Sequence, residues 1–287
     1  MSKELSKEQS PKLQKEIQRQ LKIRARRRKL FRLACGIVAM GCFVYLFGYH
    51  YFGNRTNSSY EQLRNLKEKN TATSTVNKGE PVIHYTADQE TPDILEEYQA
   101  LYQKNKSLIG WVKIEETNID YPVMQTSNNE YYLTHNISQD YDKNGTIFLD
   151  CNCDILKPSM NFIIYGHHMK SGKMFGQLDK YKDKTFWEKH PMIQFDTIYE
   201  KGTYQIVYAF QSKVYKSDEI AFKYYQFIDA NSKEEFDSYM NEMNRLSLYD
   251  TGVPVTYGDQ FLTLSTCDQT TQDGRFVLVA KRVNALQ

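Results

Sequence analysis

Apolar and polar residues alternate over short stretches from residue 108 onward, and this period of two predicts a series of β-strands. Eight stretches are rich in β-branched and aromatic residues and are bounded by Gly, Asn, Asp or Pro. They cover residues 109–114, 119–125, 145–150, 161–166, 192–197, 203–210, 260–266 and 275–283. Eight short strands of this kind predict a closed or nearly closed barrel and not an α/β layer fold.

Apolar residues at helical spacing predict helices at residues 92–105, 174–181 and 232–247. Thr91 is expected to cap the first helix, because a proline follows it at the first helical position. In the third helix, Ser232 and Glu235 have the spacing of a capping box. Its apolar face consists of Phe236, Met240 and Met243, which we interpret as core packing. Together with the strands, these helices predict a mainly β fold with added helices, of the α+β class.

The N-terminal part of the chain combines a basic segment with an apolar one. Residues 1–32 carry twelve Lys and Arg against three acidic residues, a net charge of +9, so the rest of the chain carries 2 − 9 = −7. Residues 31–52 are largely apolar, and 33–49 are 17 residues without a charge. Such a segment suits a membrane span whose terminal tyrosines lie at the interface. A charge run beside an apolar span is typical of membrane topology, so a nucleic-acid partner is not expected.

The order of these segments predicts the topology. The basic cluster RARRRK, residues 24–29, precedes the apolar segment and predicts a cytoplasmic N-terminus with the following chain outside the cell. A cleaved signal peptide is the alternative, but no convincing small-x-small site follows the apolar segment. We predict a basic cytoplasmic tail at 1–30, an uncleaved signal anchor at 31–52, an extracytoplasmic stalk at 53–85 and a folded domain at 86–287. Residues 59–69 are a candidate juxtamembrane helix within the stalk.

Three residues of the folded part are candidates for chemistry. Cys267 follows the strand at 260–266, and Arg275 begins the next strand. If these strands pair antiparallel, Cys267 and Arg275 lie at the same end of the sheet. His167 directly follows the strand at 161–166, and connecting segments at strand ends often carry functional groups. A thiolate is a nucleophile, and a nearby imidazole or guanidinium favours that form of a cysteine.

The remaining cysteines give weaker signals. Cys35 and Cys42 lie in the apolar segment. Cys151 and Cys153 are too close for an easy disulfide and lack a second cysteine pair for zinc, so we interpret them as tolerated loop cysteines. Cys267 has no C-x-x-C partner, which disfavours a thiol redox enzyme. The sequence contains no phosphate-binding glycine loop and no metal-ligand spacing, so no cofactor or metal is expected.

Three motifs together resemble the sortases, and specifically class B. They are TLSTC at residues 263–267, DGRFVLVAKR at 273–282 and IIYGHHM at 163–169, which places His167 one hundred residues before Cys267 (267 − 167). The basic tail, single apolar segment and stalk are also similar to the sortase layout. The resemblance implies a sortase catalytic domain at 86–287. Its expected fold is an eight-stranded β-barrel with an N-terminal helical extension and a long helix between the sixth and seventh strands.

The resemblance also implies roles for single residues. Cys267 matches the nucleophile, His167 the general acid/base, and Arg275 the cation that stabilises the oxyanion and orients the substrate. His168 is the neighbour and a second choice for the histidine. Ser265 and Thr266 resemble positions that line the groove for the substrate peptide.

A sortase is a membrane-anchored cysteine transpeptidase, and the resemblance implies that reaction here. The enzyme is expected to cleave a C-terminal sorting signal at a Thr carbonyl, to form a thioester and to transfer the protein to an amine of a peptidoglycan precursor. The expected partners are secreted proteins with a signal of the Asn-Pro-x-Thr-Asn or Pro-x-Thr-Gly type, a lipid II-like precursor and the cell membrane. Two alternatives stay open: a surface cysteine protease that only hydrolyses, and a catalytically inactive sortase-like binding protein.

Overall fold

The computed structural model describes residues 2–74, 84–86, 89–216, 218–268 and 273–283. A long helix, α1 (Ser2–Ser74), is followed by a hairpin of β1 (His84–Thr86) and β2 (Gln89–Thr91). The other helices are α2 (Glu96–Lys104), α3 (Lys184–Lys189) and α4 (Lys233–Leu246). Eight further strands are β3 (Leu108–Lys113), β4 (Asp120–Met124), β5 (Ile147–Leu149), β6 (Asn161–Gly166), β7 (Met192–Thr197), β8 (Thr203–Lys213), β9 (Phe261–Asp268) and β10 (Gly274–Val283). Three 3₁₀ helices are η1 (Tyr131–Leu133), η2 (Leu178–Lys182) and η3 (Tyr224–Gln226).

The eight strands β3 to β10 form a closed barrel in the order β10-β8-β7-β3-β4-β5-β6-β9. The pairing of β9 with β10 closes the ring. Neighbouring strands are antiparallel except for the parallel pairs β4–β5 and β6–β9. All eight predicted segments are barrel strands, which confirms the predicted barrel and the α+β class. The long helix α4 lies between β8 and β9, the sixth and seventh strands of the barrel, as predicted.

Successive side chains of β9 point alternately to the outside and the inside of the barrel. Phe261 packs its ring 6.0 Å from that of Phe227, and the Ser265 hydroxyl lies 2.8 Å from that of Tyr224, so this face points outward beneath η3 and α4. The alternate residues Leu262 and Leu264 are fully buried and point into the barrel. The outer face is covered by a cluster that includes the predicted apolar residues of α4: Phe236, Met240 and Met243.

The cap of α4 follows the predicted spacing with one difference. The Ser232 hydroxyl accepts a hydrogen bond from the Glu235 backbone N–H at 3.2 Å. This bond satisfies one of the N–H groups that have no carbonyl partner within the first turn of a helix. The Glu235 carboxylate accepts from the backbone N–H of Asn231 at 2.8 Å. The return bond of the predicted capping box is therefore made one residue before the cap.

Two other helix predictions were wrong in their bounds. The helix predicted from residue 92, with Thr91 as its cap, begins at Glu96, and Thr91 lies in β2. The cap position is Leu95, whose extended backbone is held by a 2.8 Å hydrogen bond from its N–H to the Ile198 carbonyl beyond β7. In place of the short helix predicted at 174–181, the structure has the 3₁₀ helix η2, which begins at Leu178. Met174 has a φ of 51°, outside the right-handed helical region, so no helix begins there.

The chain divides into two compact units, residues Met1–Gln62 and Leu63–Gln287, and the boundary falls within α1. In the first unit, Gln14–Phe47 is, among the described residues, one helical segment long and apolar enough to cross a bilayer, judged by length and composition alone. Its large apolar side chains, among them Phe31 and Phe43, are exposed. The predicted juxtamembrane helix, residues 59–69, lies within α1, so the predicted stalk is helical as far as Ser74. Residues 75–83 lie outside the described residues.

The second unit begins well before the predicted boundary at residue 86, because the end of α1 contacts the barrel. Arg64 donates from Nε and Nη2 to the Asp120 carbonyl of β4, at 3.0 and 2.9 Å. The Lys67 ammonium lies 4.9 Å from the ring centroid of Trp111 and 3.8 Å from a carboxylate oxygen of Asp196. Burial lowers the pKa of Lys67, and the nearby carboxylates partly offset this effect. The last turns of α1 are thus part of the barrel unit's packing.

Candidate active site

The register of β9 and β10 places Cys267 directly opposite Arg275. Residues directly opposite in an antiparallel pair have Cβ atoms about 5 Å apart on the same face of the sheet. The side chain of Cys267 lies outside the described part of the structure, whereas its backbone is paired within β9. Residues 269–272, the connector between the two strands, lie outside it as well. The predicted antiparallel hairpin, with Cys267 and Arg275 at one end, is confirmed.

The histidine motif reaches the same edge through the parallel pairing of β6 with β9. Gly166 is the partner of Thr266, so the residues that follow them, His167 and Cys267, lie at the same end of the two strands. A hydrogen bond of 2.9 Å from the Thr263 hydroxyl to the Asn161 side-chain oxygen shows that these two residues, one from each strand, lie on the same face of the sheet.

Side-chain alternation distinguishes the two histidines. Asn161 and Tyr165 share one face of β6, and the same period of two, continued past the strand end at Gly166, predicts His167 on that face. The Cys267 and Arg275 positions have the corresponding parity in β9 and β10. By the same alternation, His168 is predicted to face the opposite way from His167.

The imidazole of His167 is oriented by a main-chain carbonyl. Its Nε2 lies 2.7 Å from the carbonyl oxygen of Leu133, the last residue of η1. A carbonyl only accepts, so Nε2 must carry the proton of this bond, and Nδ1 is left for proton exchange. The His167 carbonyl in turn accepts from the Phe175 N–H at 3.1 Å. Side chain and backbone of His167 are therefore both held by neighbouring loops.

Arg275 is half-buried and fixed at the start of β10. Its Nη1 donates to the carbonyl oxygen of Gly274 at 2.9 Å and, more weakly, to that of Asp273 at 3.4 Å. A guanidinium has five N–H donors in a planar fork, so anchoring one nitrogen leaves others for a ligand. The position of Arg275 opposite Cys267 suits a cation that stabilises negative charge on a bound group.

The two predicted groove residues are both buried in strand β9. The Ser265 hydroxyl shares a 2.8 Å hydrogen bond with Tyr224 beneath η3. Thr266 points into the barrel, and its hydroxyl has no hydrogen-bond partner in the described part of the chain. Contact of either residue with a substrate stays a prediction.

The Leu133 carbonyl and Tyr224 are site elements that sequence reasoning missed. The first is a backbone group on a loop far from the histidine in sequence, and residue types carry no signal for it. Tyr224 lies in KYYQF, residues 223–227, among 22 tyrosines of the chain. Nothing in the sequence distinguishes it from the others.

The two loop cysteines are poor nucleophiles in this structure. Cys153 is buried, with its sulfur 3.4 Å from the Asn161 carbonyl, and burial raises its pKa to about 12. Burial, with the Asp150 carboxylate as a second cause, also raises the pKa of Cys151. A thiol reacts as the thiolate, so both groups are disfavoured. The described residues contain no cluster of three or more side chains suited to a metal ion.

Comparisons with known proteins agree with this geometry. The family model for the sortase domain matches residues 112–283. The sortase B of Listeria monocytogenes is 34% identical over 207 residues, which cover 69% of this chain and 80% of the relative. The sortase B of Staphylococcus aureus is 32% identical over 189 residues, 64% of this chain and 74% of the relative. The chain therefore belongs to the sortase family, the cysteine transpeptidases that anchor proteins to the cell wall.

Solved structures give the narrower assignment. A sortase B from Bacillus anthracis in complex with AAEK1 superposes with a TM-score of 0.65 at 31% identity, covering 82% of this chain and 98% of that one. A Staphylococcus aureus sortase B–substrate complex gives a TM-score of 0.67 at 26% identity, covering 81% and 98%. Within its family, the chain is a class B sortase.

Proposed function

We propose that this class B sortase cleaves a sorting signal through Cys267 and transfers the resulting acyl group to an amine of a peptidoglycan precursor. The observation that carries the proposal is the strand register. Cys267 is paired with Arg275, and His167 follows the residue paired with Thr266. Cys267 and Arg275 come from one hairpin and His167 from the end of a strand distant in sequence, and this register supports a site that all three share at one edge of the barrel.

Each residue has one role in the first half-reaction. The Cys267 thiolate attacks the Thr carbonyl carbon, a C–S bond forms, and the carbonyl electron pair moves to oxygen. The Arg275 guanidinium stabilises this oxyanion. When the oxyanion collapses, the C–N bond breaks and His167 donates the proton on Nδ1 to the leaving amine. A thioester and a neutral imidazole, protonated on Nε2 and bonded to the Leu133 carbonyl, are the products.

The second half-reaction reverses these roles. The acceptor amine attacks the thioester carbon and gives its proton to Nδ1 of His167. The C–S bond then breaks and the thiolate is regenerated, so no oxidant or reductant is needed. The acceptor is an amine of a lipid II-like precursor, and the donor is a secreted protein with an Asn-Pro-x-Thr-Asn or Pro-x-Thr-Gly type signal. The Staphylococcus aureus relative, described as a substrate complex, supports a sorting-signal donor for this chain.

The N-terminal segment is proposed to anchor the enzyme where both substrates lie. The exposed apolar residues of Gln14–Phe47 and the basic cluster at 24–29 support a single span with the N-terminus in the cytoplasm. The catalytic domain then lies outside the cell membrane. Confinement to one surface raises the effective concentration of a lipid-linked acceptor without any new contact.

The proposal is tested with the full chain in detergent and a fluorescent peptide carrying either signal. We expect Cys267→Ala to abolish cleavage and to prevent capture of a thioester by hydroxylamine. Cys151→Ala is the matched control and should retain turnover, since that thiol is disfavoured as a nucleophile. An active Cys267→Ala together with an inactive Cys151→Ala would refute the assignment.

Product analysis separates transpeptidation from the two alternatives. With an added amine acceptor, the proposal expects ligated peptide as the main product, whereas free acid alone would indicate a hydrolytic protease. Absence of both products, from a folded protein and across both signals, would indicate an inactive binding protein. His167→Gln should be as inactive as Cys267→Ala, and an active variant would remove His167 from the mechanism.

A further inference from the structure

The second histidine of the GHH motif has a hydrogen-bond partner of its own. His168 Nε2 lies 2.7 Å from an oxygen of Asp179 in η2, and only 12% of the His168 side chain is exposed. Its backbone is bridged to Met174. His168 is thus a largely buried side chain held by a carboxylate, and its partner differs from that of His167.

Asp179 connects this histidine to the other elements at the mouth of the barrel. Its second oxygen lies 3.2 Å from the Lys182 ammonium, which is 5.4 Å from the ring centroid of Phe276. Phe276 follows Arg275 in β10 and is the strand partner of Thr266. The His168–Asp179–Lys182 cluster therefore joins the histidine loop, η2 and the start of β10.

Stability alone does not account for this cluster. His168 Nδ1 and the Thr266 hydroxyl are both buried and have no hydrogen-bond partner in the described part of the chain. A buried polar atom without a partner destabilises a fold, and an apolar residue of similar size would avoid that cost. Polar residues that are unfavourable for packing are characteristic of functional sites.

Resting on the proposed function, we infer that His168 is a positioning residue for His167. The bond to Asp179 fixes the peptide unit that joins the two histidines. The bond from Phe175 to the His167 carbonyl fixes the same loop from the other side, and the Leu133 carbonyl fixes the ring. Together they hold His167 in place at the end of β6 that lies beside the Cys267 position of β9. In this role His168 acts through His167 and not by its own contact with the reacting atoms.

This role predicts that His168 acts on turnover and not on substrate binding. Displacement of a catalytic group by about 1 Å costs on the order of 100-fold in rate. We expect His168→Leu to lower kcat by about 10- to 100-fold while KM for the sorting peptide changes less than about 2-fold. The fold is monitored in parallel by thermal unfolding of the full chain in detergent.

A conservative variant separates positioning from simple loss of packing. The Nε2 amide of glutamine reaches about as far as the imidazole Nε2, so His168→Gln keeps the donor to Asp179. We expect His168→Gln to retain kcat within about 3-fold. Asp179→Asn, whose amide oxygen can still accept, should also retain activity, whereas Asp179→Ala should match His168→Leu.

Failure of the positioning role can be distinguished from failure of the proposed function. A folded His168→Leu with the parental kcat, a His168→Gln as slow as His168→Leu, or a loss confined to KM would each overturn the positioning role. An active His167→Gln beside an inactive His168→Gln would instead exchange the two histidines and refute the proposed mechanism.

Discussion

Gly166, the last residue of β6, is closely surrounded by the side chains of Phe175 and Ile147. A Cβ at this position would lie 2.8 and 2.9 Å from two ring carbons of Phe175, and closer still to the Cδ1 of Ile147. Carbon atoms normally approach to about 3.5 Å, so the overlap with the ring is roughly 0.7 Å. Phe175 and Ile147 are fully buried, which leaves little room for relaxation.

Gly166→Ala should therefore affect both stability and rate. Overpacking of this kind destabilises by about 1–3 kcal/mol. Phe175 also donates its N–H to the His167 carbonyl, so a displaced Phe175 moves His167 as well. We expect the free energy of unfolding to fall by about 1–3 kcal/mol and kcat/KM to fall about 100-fold.

The assay compares Gly166→Ala with a double mutant that also shortens Ile147, one of the two side chains that the new Cβ would contact. Ile147→Val deletes the Cδ1 atom nearest to the new Cβ and alone costs about 0.5–1.5 kcal/mol. Unfolding and peptide ligation are measured on the full chain in detergent. In Gly166→Ala/Ile147→Val, we expect part of the lost stability and rate to return. A Gly166→Ala protein with parental stability and kcat/KM would refute the packing argument.

Three further predictions concern buried polar groups. Tyr224→Phe leaves the Ser265 hydroxyl without its partner and should lower the free energy of unfolding by about 1–3 kcal/mol, as measured by denaturant titration; no change would mean that this bond contributes nothing. Burial raises the pKa of Tyr98 and Tyr165 above the ordinary value near 10, so the unfolded chain loses these protons first. Stability should be unaffected below about pH 10 and should fall above it, followed by tyrosinate absorbance; a pH-independent stability in that range would contradict this sign. Cys153, with a pKa of about 12, should resist alkylation until the protein is unfolded, and rapid labelling of the folded chain would show that it is accessible.

The sequence predicted the barrel strands well because their signal is local. Segments 161–166 and 192–197 are strands β6 and β7 residue for residue, since alternation and β-branched content act over a few neighbouring positions. The same is true of α4, whose cap and apolar face depend on spacings of three and four. The start of α2 was mispredicted because a distant carbonyl, that of Ile198, holds Leu95 in an extended conformation.

The candidate site likewise has features that the sequence predicted and features that it did not. The motifs around Cys267, His167 and Arg275 identified the family from sequence, and the hairpin connection of β9 with β10 is short enough to predict that two of them share an edge. The sequence favoured His167, which directly follows Gly166, and left His168 as the second choice, because adjacent residues have nearly the same sequence neighbourhood. The structure gives the two histidines different partners, the Leu133 carbonyl for His167 and the Asp179 carboxylate for His168.

By itself, then, the sequence determined the strands, the helix α4, the family and three candidate residues. Only the tertiary structure decided which atoms orient them: the Leu133 carbonyl at His167, Tyr224 at Ser265 and Asp179 at His168. The physical reason is the range of the interactions. Periodicity and capping act over a few residues, whereas the register between distant strands is set by how side chains fill the closed barrel.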